Sequence, residues 1–568
     1  MKNRTLLNYI FFVIPWLIVS FVLVKIVPAF VLSKDWKMRL FLLEHAFDSL
    51  LPIQMFTITY VVIALFTVAY LASIYYFSSS RKEYRPGEEY GDASWGNIRV
   101  VNQKIQAKNS TQNLLLSKRL RLDLDTWQHG RNTNVIVVGG SGSGKTRGYV
   151  KPNLLQGNTS YVVLDPAGEI LRDSGNALLK MGYTIRVVDL VNMEQSDCYN
   201  PFSYIRTDND VFILITSLIK NTTPPGSATS DPFWEKAEIM LTSALVLLLH
   251  KYGAPHEKTF KYLMVLLSEA KGDTSSRNIL DELFEYYEAH FPGNLASLTY
   301  HRFKTGAEKT LQSIIITASA RLTKFDLPSL QRLTEYDEME FETFGSKKTA
   351  LFIKTPIVDS SFNFMAGMIY TQLFQALYDV ADKTSMGHLE IPVHVMMDEF
   401  ANVKLPEDFE QILSTCRKHW ISISIILQNI SQLKAIYQKQ WESIIGNCDS
   451  FIYLGGNEQS THEYISKALG KETIRTKTYQ TTKGARGSSS TNLNQMSHDL
   501  MSPDQVRRLH RTKSIVMIRG ERPIMDEKFE LKKHPHIEWT ADGGGNIYVH
   551  ERKKKNGKSI IPSMEFIA

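Results

Sequence analysis

The segment Gly139-Gly140-Ser141-Gly142-Ser143-Gly144-Lys145-Thr146 matches the GxxxxGK[ST] pattern over its full length. Glycines let backbone N–H groups turn inward and ring an anionic phosphate, because they tolerate positive φ and carry no Cβ. Lys145 is then placed to reach β- and γ-phosphates, and the Thr146 hydroxyl to coordinate magnesium. Hydrolysis needs two further groups, a carboxylate for the metal and a base for water. Both stand at the end of the apolar run Val393-His394-Val395-Met396-Met397. Asp398 is assigned to the magnesium shell and Glu399 to orienting and polarising the attacking water. ATP and Mg2+ are the ligands this set requires. A third apolar run, Ile421 to Leu427, ends at Gln428-Asn429. The amide of Gln428 at that strand tip either senses the γ-phosphate or caps the strand, and the sequence leaves both readings open.

These groups need a strand–loop–helix frame. Asn134-Val135-Ile136-Val137-Val138 reads as the buried strand that leads into the glycine loop. Further strands are expected at 159–165, 184–189, 349–353, 450–454 and 514–519, besides those ending at Asp398 and Gln428. Alternation with helices predicts a mostly parallel sheet carrying the nucleotide at its carboxyl edge. About 250 residues separate Thr146 from Asp398, too many for one compact nucleotide fold. From Asp208 the period is helical, with Asp231 and Pro232 signing one helix start. Other helices are expected at 259–268, 278–290, 305–322 and 362–381. The organisation read from these patterns is an anchor over 1–80, a nucleotide-binding domain over 81–207 and 301–534, an all-α insertion over 208–300, and a basic tail over 535–568. Asp123-x-Asp125 and Asp208-x-Asp210 do not end apolar strands and read as surface turns. His256-Glu257 and His462-Glu463 lack the second histidine of a zinc peptidase.

The anchor rests on length. Leu6 to Val24 is nineteen residues without a charge, and Leu50 to Phe77 is twenty-eight. A helix rises about 1.5 Å per residue, so about 20 residues cross a hydrocarbon core. The first run is too long for a cleaved signal peptide. Lys2 and Arg4 precede it, Arg81, Lys82 and Arg85 follow the second run, and the loop from Ser33 to Ser49 is charge-balanced. Basic flanks predict a two-pass protein of the cell membrane, in contact with lipid, with both termini cytoplasmic. The chain has 568 residues, 43% hydrophobic and 22% charged, which argues against wholesale disorder. Its net charge of +7 permits nucleic acid or an anionic membrane as partner. Cys198, Cys416 and Cys448 form no CxxC pair, which excludes a thiolate zinc site of that pattern and a disulfide framework. Two basic stretches remain. Arg475, Lys477, Lys483 and Arg486 sit in a Thr/Gly/Ser-rich loop that suits a phosphate backbone or plain solvent. Arg552 to Lys555, with Lys558, reads as a solvated end.

Several patches together resemble one family. Arg131-Asn132-Thr133-Asn134-Val135 leads into the glycine loop and Tyr149-Val150-Lys151-Pro152-Asn153 follows it. Asp165-Pro166-Ala167-Gly168-Glu169 is similar to an Asp-Pro-Lys-Gly-Glu motif, with alanine in place of the lysine. Asp231-Pro232-Phe233-Trp234-Glu235, Gly306-Ala307-Glu308-Lys309-Thr310, Asp398-Glu399-Phe400-Ala401-Asn402 and the stretch from Gln428 to Leu433 complete the set. From about Gly91 to Pro523 the chain resembles the type IV secretion coupling proteins, membrane ATPases of conjugative DNA transfer. The resemblance implies an α/β, RecA-like P-loop NTPase with an inserted all-α subdomain, preceded by two transmembrane helices. It implies a homo-hexamer that receives single-stranded DNA bound to a relaxase and passes it to type IV secretion channel subunits. It also implies an arginine supplied by the neighbouring subunit, for which Arg417 is the candidate beside an exposed helix-end role. The alternatives are a septal DNA translocase and an ATP-binding scaffold that recruits protein substrates.

Overall fold

The computed structural model describes residues 2–49, 54–80, 88–223, 232–270, 279–357, 359–403, 405, 408–481 and 489–552. Two compact units are present, one of residues 1–90 with 473–496, the other of 91–472 with 497–568. In the first, helices Lys2–Leu32 and Thr57–Ser80 pack together, with the Trp16 indole donating to Thr67 Oγ1 at 3.2 Å. The stretches Val13–Leu32 and Thr57–Tyr76 are each long and apolar enough to cross a membrane. The first helix runs on past the uncharged stretch Leu6–Val24 and through Lys25 to Leu32. Lys25 is buried and its ammonium donates to the carbonyl of Ser49, so its charge has a polar contact. A short helix, Trp36–Glu44, interrupts the connecting segment. Arg81, Lys82 and Arg85 lie outside the described residues. Lys471–Thr481 and Ser489–Asp499 form a two-stranded sheet, so Arg475 and Lys477 stand on a strand rather than in the expected loop. Lys483 and Arg486 lie outside the described residues.

The second unit is built on nine strands: β1 Val135–Val138, β2 Ser160–Leu164, β3 Thr184–Asp189, β4 Thr349–Lys354, β5 Val393–Met397, β6 Ile421–Leu427, β7 Ser450–Tyr453, β8 Lys513–Ile518 and β9 Ile524–Glu527. Their order across the sheet is β9-β8-β7-β1-β6-β5-β2-β4-β3. The seven strands from β7 to β3 run parallel, and β8 and β9 are antiparallel additions at one edge. Parallel strands covered on both faces read as continuous apolar runs, which is why eight of the nine were legible. β9, Ile-Met-Asp-Glu, is short and half polar, and was missed. All four side chains of β1 are fully buried, each stabilising the strand by about 1.5–3 kcal/mol.

Between β3 and β4 the described residues form helices only. Asp208–Thr222, Pro232–Tyr252, Phe260–Glu269, Ile279–His290, Leu295–Lys304, Glu308–Leu322 and Pro328–Leu333 follow one another. The expected boundary at residue 300 falls inside Leu295–Lys304, which Asn294 caps by accepting from Ser297 N at 2.9 Å. Tyr300 of that helix stacks on Phe284 with ring centroids 4.0 Å apart. One continuous apolar core joins these helices to the sheet and to the Asn363–Lys383 helix. Asp231 lies outside the described residues, and its helix is seen from Pro232. The two spaced acid pairs are structural. Asp125 caps a short helix by accepting from Trp127 N at 3.1 Å, and Asp210 accepts from Thr207 N at 2.8 Å.

The segment expected as a tail from residue 535 packs against the body instead. Leu531 joins Leu155 and Ala177 in a small core with Ile537 and Trp539. Tyr548 N donates to Arg172 O at 2.8 Å, and His550 Nε2 lies 3.0 Å from Asp197 Oδ1. Asp542 pairs at 3.0 Å with the buried ammonium of Lys151. A buried cation is costly to leave unpaired, so this segment completes the interior. Lys553, Lys554, Lys555 and Lys558 lie outside the described residues.

Candidate nucleotide site

The glycine loop leaves the end of β1 between two neighbours. Gly139 N donates to Leu427 O at the end of β6, and Gly140 N to Gly455 O beyond β7. A Cβ on Gly139 would meet Ser143 Oγ at 2.3 Å, and Gly144 has φ +89°, so the turn admits only glycine at both places without strain. Lys145 folds across the loop, donating to Gly139 O at 2.7 Å and Gly140 O at 3.3 Å. Burial lowers its pKa, opposed by the carboxylates of Asp398 and Glu399. Thr146 opens the following helix, and its Oγ1 donates to Asp398 Oδ2 at 3.1 Å. Residues 252 apart in sequence are thus brought into contact because β1 and β5 flank β6 in one parallel sheet. Burial raises the Asp398 carboxyl, while the Thr146 hydroxyl and the Lys145 charge lower it.

Glu399 follows with φ +55°, a left-handed conformation that costs a residue with a Cβ about 1–3 kcal/mol. Its amide N–H points back to Asp398 Oδ1 at 3.2 Å, and its Oε2 accepts from Asn402 Nδ2 at 2.9 Å. Gln428 directly follows Leu427, whose carbonyl holds Gly139, so its backbone lies beside the loop; its N–H donates to Gln432 Oε1 at 3.1 Å. Arg417 lies elsewhere. It precedes β6 at the amino end of the sheet, whereas the glycine loop is at the carboxyl end. Its Nη2 donates to Thr126 O at 2.9 Å and its guanidinium lies 5.8 Å from the Trp127 ring. The fold therefore brings Lys145, Thr146, Asp398, Glu399 and Gln428 to one sheet edge and leaves Arg417 at the other.

Beneath the site, Tyr149 OH and His394 Nε2 both lie 2.7 Å from Ser424 Oγ. Burial holds the His394 imidazole neutral, with its pKa down at about 3. Three contributors escaped the sequence reading. Lys528 Nζ donates to Ser143 O and Leu454 O, each at 2.7 Å, and burial lowers its pKa to about 8. It lines a cleft with Gly142, Arg147, Arg511 and Phe529. Lys354, at the end of β4, passes over Gly168 and pairs with Asp189, so a lysine does stand beside the Asp-Pro-Ala-Gly-Glu turn. Asn402 ends the Asp398–Asn402 patch, but the patch does not show what its side chain holds. Lys528 and Lys354 sit in no motif with fixed spacing, so only chain folding locates them.

Asp165, from that turn, accepts from Leu171 N at 2.8 Å, and burial pushes its carboxyl up to about 6. Its folded pKa is above the unfolded value, so its contribution favours folding below about pH 4 and is lost as pH rises through about 6. Asp165→Asn is expected to raise the melting temperature at pH 7, by the equivalent of roughly 3 kcal/mol at most, and to flatten the fall between pH 4 and 6. Parallel wild-type and variant melting curves across that range would contradict this assignment.

Among the described residues no cluster of three or more His, Cys, Asp or Glu is arranged to hold a metal. The oxygen pair of Thr146 and Asp398 suits magnesium, which takes one or two protein oxygens together with phosphate and water. Residues 95–535 match the family model described as "Type IV secretory system Conjugative DNA transfer". The conjugal transfer protein TraG of Rhizobium radiobacter is 23% identical over 68% of this chain and 60% of its own length. Protein VirD4 of the same organism is 22% identical over 71% of this chain and 57% of its own length. The chain thus spans about 60% of those two relatives. The plasmid coupling protein TrwB, solved with the non-hydrolysable ATP analogue ADPNP, superposes with a TM-score of 0.56 at 14% identity. That match covers 78% of this chain and 95% of TrwB. TrwBdeltaN70 in complex with sulphate gives 0.57 at 16% identity, over 79% of this chain and 96% of TrwBdeltaN70. With the match running through every strand of the sheet and the whole glycine-loop site, the chain belongs to the conjugative DNA-transfer family of type IV secretory systems.

Proposed function

We propose that this protein is a membrane-anchored ATPase coupling protein that recruits a relaxase-bound single strand of DNA and drives it into a type IV secretion channel. The observation that carries the reading is the Thr146–Asp398 contact at the mouth of a complete glycine loop in a chain of a DNA-transfer family. When bound, magnesium would neutralise charge on the β- and γ-phosphates. Thr146 and Asp398 would hold it, while the loop amides and Lys145 grip the phosphates. Glu399 aims water at the γ-phosphorus, and Gln428 reads its presence from the tip of β6. Positioning and charge neutralisation, rather than covalent chemistry, supply the rate.

Arg417 lies at the opposite end of the sheet from its own glycine loop, which suits a group offered to a neighbouring subunit in a homo-hexamer. There it would offset charge on the γ-phosphoryl. The Val13–Leu32 and Thr57–Tyr76 helices anchor the protein in the cell membrane with both ends cytoplasmic, and the helical segment after Asp208 selects cargo. The test is ATP turnover by the fragment from Arg81 onward, with and without single-stranded DNA. DNA is expected to raise turnover several-fold. Turnover indifferent to DNA would favour a scaffold that recruits protein substrates.

A further inference from the structure

Glu399 and Asn402 close a four-residue turn twice. Asn402 N donates to Glu399 O at 2.9 Å, and Asn402 Nδ2 donates to Glu399 Oε2, also at 2.9 Å. The second bond is charge-assisted and occupies a carboxylate lone pair. A carboxylate so held has a fixed direction. The backbone of the same turn sits in the left-handed region at Glu399, a conformation that persists only where its surroundings over-determine it.

The surroundings reach outward. The carbonyl of Asn402 accepts from Asn363 Nδ2 at 2.7 Å. Asn363 is the first residue of the Asn363–Lys383 helix, and its own Oδ1 is buried with no hydrogen-bond partner among the described residues. The residues just before and after it are gripped by Lys324, which donates to Ser361 O at 2.6 Å and lies 5.9 and 5.8 Å from the rings of Phe362 and Phe364. Lys324 belongs to the turn that ends the Glu308–Leu322 helix. An unbroken set of contacts therefore runs from the helical segment through Lys324, residues 361–364 and Asn402 to the carboxylate of Glu399.

We propose that Asn402 is a positioning residue that restrains Glu399, and that displacement of residues 361–364 by the helical segment releases it. The inference rests on the reading of Glu399 as the group that activates water. It makes turnover slow by construction in the free protein and couples engagement of the helical segment to hydrolysis. A contiguous path alone is not coupling, so the experiment measures coupling directly.

The full chain in detergent is assayed for steady-state ATP turnover with and without single-stranded DNA, and for nucleotide affinity. Asn402→Ala removes the donor, and Asn402→Asp removes it while keeping the shape, should the alanine variant fold poorly. Both are expected to raise DNA-free kcat about tenfold, equivalent to about 1.4 kcal/mol, with KM within about twofold of wild type. In both, DNA adds little further. Wild-type kcat with intact DNA stimulation in both variants overturns the proposal. So does a lowered kcat with the stimulation ratio preserved, which marks a merely structural turn. Glu399→Gln is measured alongside. If it turns over normally, the reading of Glu399 fails whatever Asn402 does. If it is inactive while the Asn402 variants behave as wild type, only the restraint is wrong.

Discussion

Replacing Lys145 by alanine will lower ATP turnover by roughly a thousandfold or more, the scale on which removal of a preorganised charge from a phosphoryl-transfer site acts. Lys145 is a cation held over the loop by Gly139 O and Gly140 O. Its ammonium is partly desolvated, which lowers its pKa, but Asp398 and Glu399 oppose that shift. No other ammonium is bonded to the carbonyls of Gly139 or Gly140 among the described residues. Lys528 is bonded to the outer side of the loop, at Ser143 O, and does not substitute. Folding and membrane insertion are expected to be unchanged, because Lys145 lies outside the apolar core. The measurement is turnover together with the melting temperature of the purified full chain. Wild-type turnover in a folded variant would remove the glycine loop from the mechanism.

Glu399→Gln separates binding from chemistry. Glutamine keeps the shape and still accepts a hydrogen bond from Asn402, so the turn at 399–402 is preserved. It does not take a proton or carry the charge that polarises water. Nucleotide binding should persist while turnover falls by roughly 10²–10⁴-fold. Nucleotide affinity and single-turnover hydrolysis report the two halves independently. Unimpaired hydrolysis would transfer the role of base to another group; loss of binding would show that Glu399 supports the loop rather than the water.

Much of this site was readable before any fold was known, and for a definable reason. Phosphate chemistry demands glycine, lysine and a hydroxyl at fixed spacing, and a buried parallel strand demands an unbroken apolar run. Both demands are local, so Gly139–Thr146, Asp398-Glu399 and the strands leading to them stand out in one dimension. The helices were legible where a single period ran without interruption. The helix expected at 305–322 is Glu308–Leu322, whereas Leu295–Lys304 before it has no separate signal, because a connection of three residues barely disturbs the apolar pattern.

Other features have no local signature. The segment from Leu531 to Arg552 lacks helix or strand periodicity, and its place is decided by long-range pairing: Asp542 on the buried Lys151, and His550 on Asp197. Arg475 and Lys477 sit in a composition rich in threonine and serine that suits a loop as well as a paired strand, and the partner strand settles the matter.

By itself the amino-acid sequence determined that a glycine loop, a metal-binding carboxylate and a candidate base exist in one α/β chain with two membrane-length apolar runs. The tertiary structure alone decided that Thr146 meets Asp398 and that Arg417 lies at the far end of the sheet. It also decided that Asn402 holds the carboxylate of Glu399 and that the chain's last described residues complete the interior. The physical reason is range. Propensity and spacing act over a few residues, whereas strand order and the pairing of buried charges are set by free energies that exist only once distant segments share one core.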